Sequence, residues 1–71
     1  MKAAVVEIAD GELLGDVHLF LAPKLAENHA VVCALENTSS TEEEIREHLE
    51  QWDCHAEGDY AVYVANVVDA R

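Results

Sequence analysis

The sequence predicts a small α+β domain: a mostly antiparallel sheet of about four strands, in the order β-β-β-α-β, with one main helix packed across one face. Three observations predict it. Short runs of apolar and β-branched residues recur at 2–9, 16–22, 30–36 and 60–68, and such runs bounded by turn residues read as strands. One segment beginning near Thr41 changes to helical spacing and carries capping residues. The length of 71 residues allows a single domain, residues 1–71. A domain this small buries only about 60% of the surface its unfolded chain exposes. An apolar content of 51% suffices for one core, and with 6% aromatics that core falls to Val, Ala and Leu.

Each element follows from its residues. KAAVVEIA (2–9) is the first strand, and DGELLG (10–15) is a turn. DVHLFLA (16–22) alternates Val17, Leu19 and Leu21 against His18 and Phe20, and forms a hairpin with the first strand. Pro23 stops it. PKLAENH (23–29) suits a loop or a single helical turn with proline at its first position, and AVVCALE (30–36) reads as a third strand. The helix starts at about Thr41, where Ser40 with Glu43 and Thr41 with Glu44 both match a capping box. Ile45, Leu49, Trp52 and Ala56 form its apolar stripe, and Gly58 is its expected stop. YAVYVANVV (60–68) is the last strand.

The last strand is apolar on both faces, with Tyr60, Val62 and Val64 on one side and Ala61, Tyr63, Ala65 and Val67 on the other. One helix covers one face. The second face then exposes residues such as Val5, Phe20 or Tyr63, and an exposed apolar sheet face marks an interface, unless loop 23–29 folds over it. A homodimer or a partner-binding face is the expectation.

Charge is the most distinctive property. Fifteen acids oppose four bases, for a net charge of −11. Such a chain is repelled by nucleic acid and by anionic membranes, and attracted to basic surfaces. The stretch TSSTEEEIREHLEQWD (38–53) holds six carboxylates and one arginine. Residues 36–59 carry nine acids and one base, a net of −8 within the chain's −11. On a helix, Glu43, Glu47 and Glu50 point away from the apolar stripe, Glu42 and Asp53 flank one edge, and Glu44 flanks the other. Glu43 and Glu47 are i,i+4 neighbours, about 5–6 Å apart, where like charges destabilise a helix by a few tenths of a kcal/mol. A row of carboxylates a few ångströms apart imitates the phosphate line of a DNA strand, one charge per ~3.4 Å. The Lys and Arg that grip phosphate also pair with carboxylate. Asp10, Glu12 and Asp16 lengthen the strip if the hairpin turn lies beside the helix. Two plainer readings of the acid are a solvated face that keeps a small protein soluble and adaptation to high salt.

Other chemistry is not expected. His18, His29, Cys33, His48, Cys54 and His55 show none of the tight ligand pairs of structural zinc sites. No cofactor motif is present, neither a P-loop nor G-x-G-x-x-G, so neither a metal nor a cofactor is predicted. Cys54 beside His55 is not a nucleophile–base pair on a helix, and an enzyme is not expected. Lys2, Lys24, Arg46 and Arg71 are scattered, which disfavours direct nucleic-acid binding. Cys33 reads as a small buried residue, and its pairing with Cys54 is left open by spacing. Trp52 reads as core, with a binding anchor as the alternative. The first residues lack a signal-peptide pattern and no run approaches a membrane span, so a cytoplasmic location is expected.

A very short, strongly acidic α+β chain with the segment STEEEIREHLEQWD resembles phage-encoded inhibitors of bacterial defence. These include DNA-mimicking anti-CRISPR proteins, restriction antagonists and the inhibitor of uracil-DNA glycosylase. The resemblance implies an inhibitor that occupies the DNA site of a basic DNA-binding protein, a host CRISPR effector subunit first among them, inside the host cytoplasm. The partner-binding residues it implies here are Glu43, Glu47 and Glu50, then Glu42, Glu44, Asp53 and Glu57. The alternative is a structural or regulatory module that binds through the apolar sheet face, with the acidic helix only solubilising.

Overall fold

The computed structural model describes residues 2–67. The fold is α+β, with a five-stranded antiparallel sheet and two helices. The elements are β1 (Lys2–Ala9), β2 (Glu12–Leu13), β3 (His18–Phe20), α1 (Pro23–Asn37), α2 (Glu42–Trp52), β4 (Cys54–Glu57) and β5 (Tyr60–Val67). The sheet runs β2-β1-β5-β4, and β3 also pairs with β1, beyond β2 on the same edge. The predicted strand at 16–22 shortens to β3, and the predicted turn at 10–15 itself contains β2, with a bend at Gly15 (φ 84°) between the two.

The largest departure from the sequence reading is at 30–36, where the predicted third strand is the second half of α1. Pro23 does open a helical turn, but the turn continues for 15 residues. Ala26, Ala30 and Ala34 recur every four residues and are fully buried, with Val31 and Cys33 beside them. This row of small side chains lets the helix lie close against β1, β3 and β5. The helix ends on its own polar residues: the Asn37 amide donates to the Cys33 carbonyl (2.8 Å) and the Thr38 hydroxyl to the Ala34 carbonyl (2.7 Å). Both groups satisfy carbonyls a helix end would leave bare.

α2 begins as predicted. Thr41 is the N-cap and accepts from the Glu44 amide at 3.2 Å, while its hydroxyl donates to the Glu44 carboxylate at 3.1 Å. The helix stops earlier than predicted, at Asp53, which takes the left-handed conformation (φ 58°). Gly58 instead shapes the β4–β5 turn at φ 61°. Ile45 and Leu49 are buried; Trp52, expected in the core, is 57% exposed, and Ala56 lies on strand β4.

The register assigns the two faces. Val5 pairs with Val64 and His18, Ala3 with Phe20 and Asn66, Ala9 with Tyr60, and Val62 with His55. These residues share the face that the helices cover, and the core of Ala3, Val5, Ala30, Val31, Ile45, Leu49, Tyr60 and Val62 lies there. Val5 and Phe20 are thus on the covered side, contrary to expectation, whereas Tyr63 is on the open one. It is α1, not a loop, that packs on the sheet, and it packs on the face opposite Tyr63. Cys33 is buried on the covered side of the sheet, within α1, and Cys54 pairs in register with Tyr63 on the open face, so the sheet separates the two thiols and both are free.

Candidate functional site: the acidic surface of α2

All seven acids expected to contact a partner, Glu42, Glu43, Glu44, Glu47, Glu50, Asp53 and Glu57, are exposed. The structure divides them by what their carboxylates already hold. Glu42 pairs with Arg46 at 2.9 Å. Glu44 closes the cap with Thr41. Glu57 accepts from the Ser39 amide (2.7 Å) and hydroxyl (2.9 Å), contacts that hold its carboxyl below the usual carboxylate range. The carboxylates of Glu43, Glu47, Glu50 and Asp53 have no hydrogen-bonding or ionic partner among the described residues. The outward row is therefore the part of the surface free to take cations from outside.

Arg46, the one base in the row's neighbourhood, is turned away from it. Its guanidinium reaches α1, where Nη1 donates to Glu27 (2.8 Å) and Asn28 (3.1 Å), while Nε donates to Glu42. Lys24 completes the network on Glu27 at 2.8 Å. Hydrogen bonds from Lys24, and then Arg46, outweigh partial burial and hold the Glu27 carboxyl below its usual range. The network fixes α2 against α1 and removes the only charge that would interrupt the carboxylates.

The strip does lengthen beyond the helix. Glu57 on β4 is tied to Ser39, immediately before α2. The β4–β5 turn that follows Glu57 is joined to the β1–β2 turn, where the Asp10 amide donates to the Asp59 carbonyl at 3.0 Å. Acids at 57, 59, 10 and 12 thus continue at that end of the sheet the charge that begins on the first turn of α2. At the other end of α2, Glu50 and Asp53 edge a cleft of about 280 Å³, with Pro23, Glu27, Leu49, Val64 and Asn66 as the remaining lining.

Sequence reasoning missed a second polar cluster beneath α2. His48 Nδ1 and His55 Nδ1 lie 2.7 Å apart, and His55 Nε2 lies 3.0 Å from the Ser40 hydroxyl. The ring planes differ by 23° at a centroid spacing of 4.9 Å, so the near-coplanar rings meet edge to edge in an N–H···N bond. His55 is 2% exposed. Burial, and then the neighbouring His48, push its pKa down. The cluster ties α2, β4 and the 38–41 loop together. Only the break between α2 and β4 at Asp53 reveals it, because the sequence pattern places His55 on a longer helix. A third polar group lies between α1 and the sheet, where the Tyr60 hydroxyl donates to Glu7 at 2.6 Å. Burial, with Glu7 beside it, pushes the Cys33 thiol up to about 11, which leaves it protonated and inert as a nucleophile.

Among the described residues no group of three or more His, Cys, Asp or Glu is placed to hold a metal ion, and no helix is long and apolar enough to cross a membrane. No family model, no curated protein and no solved structure matches the chain.

Proposed function

We propose that the protein is a small acidic inhibitor that binds the DNA-binding surface of a basic protein and blocks DNA entry. The observation that carries this reading is the row Glu43, Glu47 and Glu50. It is exposed, held on a capped helix, and without partners among the described residues, while Arg46 is drawn off it by Glu27 and Asn28. Lys and Arg side chains that line a DNA groove would pair with these carboxylates as they pair with phosphates. The cleft beside Glu50 and Asp53 has room for one long basic side chain with its head against both acids. The resemblance to phage-encoded inhibitors makes a CRISPR effector subunit in the host cytoplasm the first target to try.

The test is a competition assay between the protein and duplex DNA on an isolated CRISPR effector, repeated at rising salt. Wild-type protein should displace DNA at low salt and lose affinity as salt rises, since the contact is ionic. Glu43→Lys with Glu47→Lys should abolish displacement while the circular dichroism spectrum stays unchanged, because both side chains are solvent-facing. A folded double variant that still displaces DNA as well as wild type would overturn the role of α2.

A further inference from the structure

We infer that the open sheet face is a homodimer interface, on which a second copy of the chain packs sheet to sheet with strands antiparallel. The observation is independent of the acidic row. Register places Lys2, Ala4, Val6 and Ile8 of β1, Leu13, Leu19, Ala61, Tyr63, Ala65 and Val67, with Cys54 and Ala56, on the side opposite the helices. Leu19 is 67% exposed, Leu13 55% and Tyr63 42%. An apolar surface this continuous on a small domain marks an interface.

Charge selects a second copy as the occupant. Among the described residues no acid occupies a strand position of this face, and its one charged residue there is Lys2 at a corner. Everywhere else two copies at −11 each would bring carboxylates together; here they would not. Of the other large exposed apolar side chains, Leu25, Val32 and Leu35 on α1 share their helix surface with the exposed Lys24, Asn28 and Glu36, while Leu14, Val17 and Leu21 stand in loops and Trp52 at the end of α2. Area sets the strength. β1 and β5 have eight residues each, β4 four, β2 two and β3 three. At ~3.3 Å per residue and ~4.8 Å between strands they cover about 400 Å² per copy. The pair would bury about 800 Å², the size of a weak, concentration-dependent dimer.

Charge also selects the orientation. Aligned sheet packing keeps the strands of two sheets within about 30° of parallel or antiparallel. At one end of the sheet lie the joined turns with Asp10 and Asp59; at the other lies Lys2. A parallel stack would place acidic turns over acidic turns. An antiparallel two-fold sets each Lys2 over the partner copy's acidic end.

Sedimentation velocity over micromolar to millimolar protein tests the inference. Wild type should sediment as a dimer whose affinity rises with salt, because screening relieves the repulsion between copies; inhibitor binding through α2 should weaken with salt. The two readings therefore fail separately. Leu19→Glu and Tyr63→Lys should each raise the dimer dissociation constant at least tenfold. Lys2→Glu should raise it by a smaller factor. Should the face variants unfold, isotope-filtered spectra of mixed labelled and unlabelled wild type should show contacts between copies at Leu13, Leu19 and Tyr63. A monomer throughout that range, a folded Leu19→Glu variant with unchanged dimer affinity, or contacts between copies at α1 instead would each overturn it.

Discussion

At the scale of single residues, the His48–His55–Ser40 chain makes stability sensitive to mild acid. One hydrogen between the two Nδ1 atoms satisfies both rings while they share at most one positive charge. Burial is the first reason His55 resists protonation, and the adjacent His48 is the second. Glu44 and Glu57 act in the opposite direction and do not reverse the shift. The folded state therefore binds a proton at His55 less readily than the unfolded state does, whose histidine titrates at about 6.5. Stability is fully present above that value and is lost as pH falls from about 6.5 toward the lower folded-state pKa. Glu27 and Glu57 are also held below their ordinary range, and their contribution is lost at more acid pH, below the ordinary carboxylate value of about 4.5. Urea denaturation at pH 7.5 and at pH 5.5 separates the two windows. The wild-type midpoint should fall between these pH values, and His55→Gln should show a smaller fall. Equal slopes for both proteins would remove His55 as the cause.

At the scale of elements, α2 and α1 show why one helix is legible in the sequence and the other is not. α2 announces itself. It has a Thr–Glu cap, acids in its first turn, and one apolar stripe against a charged face. From Ala30 to Leu35 α1 is apolar all round, with Val32 and Leu35 outside and Ala30, Val31 and Ala34 inside. Without a polar face, its seven residues at 30–36 cannot be told from a buried strand by periodicity alone. The signal that was present is Pro23 at the first helical position; the alanines at 26, 30 and 34 share one side of the helix, but a strand also places residues four apart on one side. The same closeness predicts its weak point. Ala30 has no exposed surface and faces the sheet, so Ala30→Leu should overpack the helix–sheet contact and destabilise by about 1–3 kcal/mol. A strand with Ala30 at its edge would tolerate leucine with little loss, so the urea midpoint distinguishes the two. The acidic site was almost wholly readable in sequence, because an exposed helix surface follows from spacing. The open sheet face was only half readable: Tyr63 was placed correctly, while Val5 and Phe20 depended on where α1 lies.

At the scale of the whole molecule, charge and fold work against each other. A net charge of −11 on 71 residues favours solubility and rapid encounter with basic partners, but it opposes compaction through self-repulsion. Among the described residues three ion pairs act the other way, Lys24 and Arg46 on Glu27 and Arg46 on Glu42. Added salt screens both sets, and their balance decides the sign of its effect. The pairs are few and only partly exposed, and pairs at the surface are worth about 0–1 kcal/mol each. The repulsion is summed over fifteen acids, nine of them within residues 36–59. Raising the salt from about 0.01 M to about 0.1 M shortens the screening length from about 30 Å to about 10 Å, comparable to the molecule's 11.6 Å radius of gyration. Repulsion across the whole surface is lost over that range, while contacts at 2.8–2.9 Å are weakened less. The prediction is that the thermal midpoint rises with sodium chloride over this interval, measured at one protein concentration low enough to hold the chain monomeric. A falling midpoint would mean that the α1–α2 ion network, and not the acidic surface, governs the stability of the fold.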